Sequence, residues 1–462
     1  MTDLWALPAH EMVNRLRSGQ VTSVDLVEAC LGRIAVVNPA LNAVVVMDEK
    51  QSLRAARQVD DARARGEVVG PLAGLPYTAK LDFDVEGQAT SEGSSVLQDA
   101  VATADGPMIA RMRGAGAVLL GRTNEPDFGI VYHTNSALYG PTLNAWDATR
   151  TPGGSSGGEG VAISTGMSPL GLGSDIGGSI RGPAGFNGVT GLKPGLGRYP
   201  DHLETSPEPS VHEQLFIGRG PIARAVADLV MVDHVLTGID ARDPWTVEPV
   251  PRRHPYRRIG VVLSPTDTAV PDAITQLLRN AASALADLGY EVEETVLPNW
   301  EDLVQNFTDI MSHGYGGDRS GWSRLHPDIA FFLEHIHSRH EAPGFQLPGL
   351  GEALGRRHRL AVEFNLWHQK YDALIMPTWA DAPFKADALL TKEGIEETTA
   401  ASRHLYIFNL LGLPGLSLPI GTAQGLPVGA HVSSLRHRED VVLQVAGDLE
   451  SRLGPLTPID PR

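Results

Sequence analysis

The chain has 462 residues and a net charge of −17. With 42% hydrophobic and 20% charged residues it reads as a globular protein with a sizeable core and not as a disordered one. The acidic balance, without a basic patch, argues against nucleic acid or an anionic membrane as a partner. Cys30 is the only cysteine, which excludes an intrachain disulfide, fits a reducing cytoplasm and leaves the thiol a packing role on a helix.

"MTDLWALPAHEM" has no basic run followed by an apolar one, so no secretory signal is read at the start. "TSVDLVEACLGRIAVV" from Thr22 predicts a helix whose Thr22 and Asp25 form a capping box. Leu53 to Arg65, rich in alanine and arginine, predicts a second helix. "GPLAGLPYTAKLDFDV" supplies turn residues and a short apolar strand, and "AGAVLLGRTN" a helix end, a strand and a loop. "GPIARAVADLVMVDHVL" reads as one amphipathic helix. "RRIGVVLS", a helix over Asp272 to Leu288 and "YEVEETVL" alternate strand, helix and strand, so the class is α/β. Leu405 to Ile420 is apolar but broken by Asn409, Pro414 and Pro419, and does not read as a membrane span. No repeat or clean domain boundary is visible.

Two glycine runs stand out, "TPGGSSGGEG" from Thr151 and "LGLGSDIGGSIRGPAGFNG" from Leu170. Neither is followed by the lysine of a Walker loop, so phosphate binding is weakly supported. "GGSSG" fits the serine-elbow pattern of α/β-hydrolases with Ser155 as nucleophile and His404 or His431 as base, but no apolar strand precedes it. The third use is a pair of loops that build an oxyanion hole and hold serines against a base. Lys80 ends the mostly apolar "GLPYTAK" in a chain with only six lysines against 32 arginines. A desolvated lysine can be brought down toward neutrality, which arginine cannot; the bland alternative is a strand-end lysine reaching solvent.

Through these blocks the chain resembles the amidase signature family over almost its whole length. The resemblance runs through "AGLPYTAKLDFDVEG", "TNEPDFG", "YGPTLNAWDATRTPGGSSGGEG", "LGSDIGGSIRGPAGFNGVTGLKP", "FNLLGLPGLSLPIG" and "GLPVGAHV". It implies one amidase domain over residues 1–462, an α/β fold with a large mixed sheet flanked by helices. It also implies an amidohydrolase that cleaves C–N bonds without cofactor or metal. Ser179 then matches the nucleophile, Ser155 the bridging serine on a cis peptide after Gly154, and neutral Lys80 the base. Backbone N–H groups of Ile176, Gly177, Gly178 and Ser179 would form the oxyanion hole, with Ser156 supporting the Lys80 network and Asp175 and Arg181 bracing the loop. Gly129, Ile130 and Tyr132 fall in a stretch that lines the acyl pocket in the family.

The chain departs from the family where Leu81 follows the lysine, with Asp82 next, and where Thr134 takes the usual acidic position in "HTNS". "LEHIHSRHE" places His335, His337 and His340 close together, but the spacing is not that of zinc ligands and reads as a solvated polar helix. Residues 300–367 hold nine of the 27 aromatic residues and form a variable helical segment expected near the substrate pocket, although the same aromatics could simply pack a helical subdomain. The substrate expected is a hydrophobic or aryl amide, or an aryl carbamate or urea, taken up by a cytoplasmic monomer or homodimer. The competing readings are an amidotransferase A-type subunit and a catalytically silent binding protein on the same fold.

Overall fold

Strand β2, Pro76–Lys80, is buried along its whole length, and its side chains alternate between two environments. Tyr77 and Ala79 join the largest hydrophobic cluster, while Thr78 and Lys80 face the opposite side of the sheet. This alternation aims a lysine into the protein and not at solvent. The computed structural model describes residues 3–249, 256–315, 319–340, 346–454 and 459–462.

The other strands of the sheet are β1 Val44–Met47, β3 Val118–Thr123, β4 Leu170–Asp175, β5 Thr190–Lys193, β6 Gly218–Ala223, β7 Arg258–Val261, β8 Glu291–Glu294, β9 Ala373–Pro377, β10 Gly415–Ala423 and β11 Leu426–Ser433. They form one 11-stranded sheet in the order β1-β3-β2-β4-β6-β5-β10-β11-β9-β7-β8. Pairing is parallel for β3·β2·β4 and for β9·β7·β8, and antiparallel elsewhere, so the sheet is mixed. Helices Pro107–Gly114, Val226–Leu236, Asp272–Asp287 and Glu439–Leu453 contribute to the main cluster. Helices Gly157–Ser164 and Arg181–Asn187 cover the face toward which Lys80 points. That covering is tight: a Cβ on Gly171 would lie 1.9 Å from Glu159 Oε2. The glycines of the second run thus let a helix approach the sheet closely.

Most predicted elements are found within a few residues. The first long helix runs Ser23–Leu41, and Thr22 and Asp25 form the capping box. The next spans Glu49–Ala64, earlier than predicted because Asp48 caps it. One prediction is corrected. "GPIARAVADLVMVDHVL" is not a single amphipathic helix: its first residues, Gly220 to Ala223, end β6, and helix Val226–Leu236 follows, buried on most sides. These residues are held in β6 by pairing with β4 and β5, a long-range constraint, and the helix starts only after them. Cys30 is buried in a helix-packing cluster, and burial pushes its thiol up to about 12.

The helix Ser23–Leu41 offers a stability test. Removing the cap with Thr22→Ala should cost about 1 kcal/mol. Gly32 sits in the same helix with open space around its Cβ position, so Gly32→Ala should stabilise by about 1 kcal/mol. The double variant should unfold close to the wild-type temperature in a thermal melt.

Candidate active site

Three parallel strands deliver the charged groups. Lys80 ends β2, Glu125 follows β3 by two residues, and Asp175 ends β4. Lys80 Nζ lies 2.7 Å from Ser155 Oγ, 2.7 Å from Ser174 Oγ, 2.9 Å from Glu125 Oε2 and 3.3 Å from Asp82 Oδ2. Arg219 on β6 lies 2.9 Å from the same Asp82 oxygen, and donates to the Asp82 carbonyl at 2.8 Å and to Asp201 at 2.6 Å. Burial would push the Lys80 ammonium down, but Asp82 and Glu125 outweigh it and hold it above its ordinary value. This corrects the expectation of a lysine brought down toward neutrality. Burial pushes the Glu125 carboxyl well up, whereas Lys80 and Arg219 overcome burial at Asp82 and hold it at about 2.

Ser155 follows Gly154 through a cis peptide bond. Thr134 holds this loop, donating to the Gly153 carbonyl at 2.9 Å and accepting from Gly157 N–H at 3.1 Å. A threonine at the family's acidic position therefore serves the serine loop. Ser156 does not reach Lys80: its hydroxyl bonds the Ser174 backbone, and Ser174 makes the lysine contact.

The turn after β4 carries Ser179 and is organised by Asp175. Its carboxylate accepts from the N–H groups of Gly178 at 2.8 Å, Ile180 at 3.0 Å and Arg181 at 3.3 Å. Arg181 adds two side-chain bonds and itself donates to Asn409 Oδ1 at 2.5 Å. Burial opposes the charge on Asp175, but Arg181 and these donors hold its carboxyl below the usual range. Gly178 adopts φ +123°, and a Cβ there would meet Leu405 Cδ1 at 2.7 Å, so the turn requires glycine. Because the Gly178 N–H is committed to Asp175, the expected oxyanion donors reduce to Ile176, Gly177 and Ser179. Ser156 N–H donates to the Ser179 carbonyl at 3.1 Å, tying the two serine loops together. Among the described residues no hydrogen bond joins the Ser155 and Ser179 hydroxyls, although both line one cavity.

That cavity, of about 210 Å³, is lined by Lys80, Asp82, Glu125 and Ser174 together with several apolar and aromatic side chains. Gly129, Ile130 and Tyr132 line it as expected, joined by Phe307, Met311 and Phe332 from the segment over residues 300–367. Phe307 stacks on Tyr406, with ring centroids 4.6 Å apart, while Phe364 and Trp367 pack in the core away from the cavity. The aromatics of the segment thus divide between the pocket and its support. Its histidine helix, Pro327–His340, is not solvated all round, because Ile329, Leu333 and His335 are buried in it. His335 lies 3.7 Å from Glu396, and the side chain of His340 is outside the described residues. His404 and His431 sit away from the cavity, one against the Pro377 carbonyl and the other against Arg181.

Asp82, Glu125, Ser174 and Asn409 are site residues that the sequence reading misses. Asp82 is visible there as the acid displaced by Leu81, and Asn409 as a polar break in an apolar run; Glu125 and Ser174 carry no local signal.

Residues 25–443 match the Amidase family. The chain is 34% identical to the indoleacetamide hydrolase of Bradyrhizobium diazoefficiens, over 98% of this chain and 88% of that one. It is 31% identical to the A-type subunit of the glutamyl-tRNA(Gln) amidotransferase of Salinispora tropica, over 99% of both. Among solved structures, a bacterial aryl acylamidase superposes with a TM-score of 0.83 at 25% identity, over 98% of this chain and 97% of that one. The chain belongs to the amidase signature family and is a hydrolase of carbon–nitrogen bonds other than peptide bonds.

Proposed function

We propose that the protein cleaves hydrophobic or aryl-substituted amides, and aryl carbamates or ureas of similar shape, through an acyl-enzyme on Ser179. The observation that carries this reading is the 2.7 Å contact between Lys80 and Ser155 in a cavity that is also lined by apolar and aromatic side chains. Ser179 Oγ attacks the carbonyl as its proton passes to Ser155 and from Ser155 to Lys80. The developing oxyanion is met by the N–H groups of Ile176, Gly177 and Ser179, and losing one such donor typically costs roughly 100- to 1,000-fold in kcat. Ser155 returns a proton to the leaving amine, and water then releases the acid by the reverse relay.

Ile130, Tyr132, Phe307 and Phe332 support the substrate class, since aromatic walls offer large apolar area with few rotatable bonds. The names of two relatives, an indoleacetamide hydrolase and an aryl acylamidase, agree with an aromatic substrate. The amidotransferase relative keeps a second reading open, in which a partner receives ammonia. Hydrolysis of an amide by the purified chain alone decides for the first.

Ser179→Ala should abolish acyl-enzyme formation, and Lys80→Arg should slow acylation by roughly 100- to 10,000-fold because arginine keeps its proton. His404→Ala and His431→Ala should leave the burst rate of the folded fraction nearly unchanged; loss of acylation there would favour a histidine base. In steady-state assays, kcat/KM for an anilide or aryl carbamate should exceed that for acetamide. Ile130→Trp should narrow the pocket and cut kcat/KM for the anilide by roughly tenfold or more, with acetamide much less affected. A better rate on acetamide in the wild type would refute the apolar-pocket assignment.

A further inference from the structure

Lys80 Nζ has four oxygen neighbours within 3.3 Å, and an ammonium has only three protons to give them. The neighbour least explained by the serine relay is Glu125. Its side chain is 1% exposed, like that of Lys80, and its second oxygen, Oε1, has no hydrogen-bond partner among the described residues. A carboxylate buried with one oxygen unsatisfied is costly when ionised and much less so when neutral. Such a group, 2.9 Å from the lysine, is placed to take a proton from it.

We propose that Lys80 and Glu125 act as one base, in which Lys80 passes a proton to Glu125 Oε2 as it accepts the proton of Ser155. This rests on the Ser179–Ser155–Lys80 reading above and deepens it. The transfers balance. The Ser179 hydroxyl proton goes to Ser155, the Ser155 proton to Lys80, and a Lys80 proton to Glu125, while Ser179 Oγ forms its bond to the carbonyl carbon. The negative charge that leaves Glu125 appears on the carbonyl oxygen. Lys80 begins and ends as an ammonium, so no persistent neutral lysine is needed. On collapse of the intermediate the C–N bond breaks, and the protons return along the same line to the leaving amine.

The surroundings favour this division of labour. Asp82 from the turn after β2, Glu92 from the following loop, Arg122 on β3 and Arg219 on β6 are the charged groups facing the pair. Asp82 is ionised and bound by Arg219, so it holds Lys80 charged without competing for the proton. Burial and Asp82 push Glu92, which also lines the cavity, up to about 7, and Asp82 and Glu92 in turn oppose charge on Glu125. Arg122 donates to the Lys80 and Phe83 carbonyls and leaves the Glu125 carboxyl to the lysine. A base that titrates close to the working pH is more available than a lysine alone, and a pair so closely coupled titrates as a unit.

The test is the pH profile of kcat/KM for an anilide, in wild type and Glu125→Gln. Glutamine resembles the protonated carboxyl and cannot receive a proton, so the variant must rely on deprotonated Lys80. The wild-type profile should level off once the pair has lost its first proton. The Glu125→Gln profile should keep rising toward the lysine range, with a deficit of at least roughly tenfold at about pH 7 that closes by about pH 10. Parallel profiles, or equal rates throughout, would overturn the proposal, because a merely structural role lowers the rate evenly. A second measurement needs no variant at Glu125. Nitrogen-15 labelling of the six lysines, with Lys80 assigned through Lys80→Met, should show Nζ still an ammonium at the pH where the wild-type rate levels off. Deprotonation of Nζ in step with the rate would overturn it. Activity surviving in Ser179→Ala or Lys80→Ala would instead refute the underlying reading, separately from these outcomes.

Discussion

The buried ion pair between Asp175 and Arg181 is the interaction on which the turn carrying Ser179 depends. Neither side chain has exposure to solvent, and they meet at 2.8 Å. A pair of charges this deep is tolerated only when the remaining hydrogen-bonding capacity is also used. Asp175 uses it on three backbone donors of the Ser179 turn and on Asn409, and Arg181 on the Leu405 carbonyl and Asn409. The shape of that turn is therefore dictated by the satisfaction of a carboxylate. The amides left over, at Ile176, Gly177 and Ser179, are available to a ligand because Asp175 has taken the others.

A second set of charges is held at the adjacent strand ends. The carboxyl ends of parallel strands open a crevice where loops from neighbouring strands converge, and here β2, β3 and β4 contribute Lys80, Glu125 and Ser174 within a few ångströms. The two networks differ in kind. Around Asp175 the charges are matched and fixed, which suits a scaffold. Around Lys80 there are two carboxylates for one ammonium, moderated by Arg219, which suits a site whose protons move.

The sequence carried the backbone of this description unevenly. Lys80, Ser155 and Ser179 could be named because a long, ordered block of motifs resembles a known family, and the glycines around them marked places where main chain and side chains come close. The direction of the electrostatic shift on Lys80 could not be read, since it depends on Asp82 and Glu125 folding onto it from two strand ends. Gly178 has the look of an oxyanion donor in the sequence, but its N–H is spent on Asp175. The region of β6 misleads for a related reason: Gly220 to Ala223 adjoin a helical run rich in valine and leucine, and only their neighbours in the sheet show that they belong to a strand. His335 reads as solvated because its histidine neighbours are polar in sequence, whereas the helix turns it into the core.

Between β8 and β9 the described residues contain no strand, yet this stretch supplies Phe307, Met311 and Phe332 to the cavity. Part of the pocket wall thus comes from a single connection between two strands of the sheet, and the rest from loops such as the one carrying Gly129, Ile130 and Tyr132. Lys80, Ser155, Ser179 and the N–H groups of Ile176 and Gly177 are all upstream of it. Substitutions at Phe307, Met311 or Phe332 reshape that part of the wall from elements other than the strand ends that carry Lys80 and Asp175.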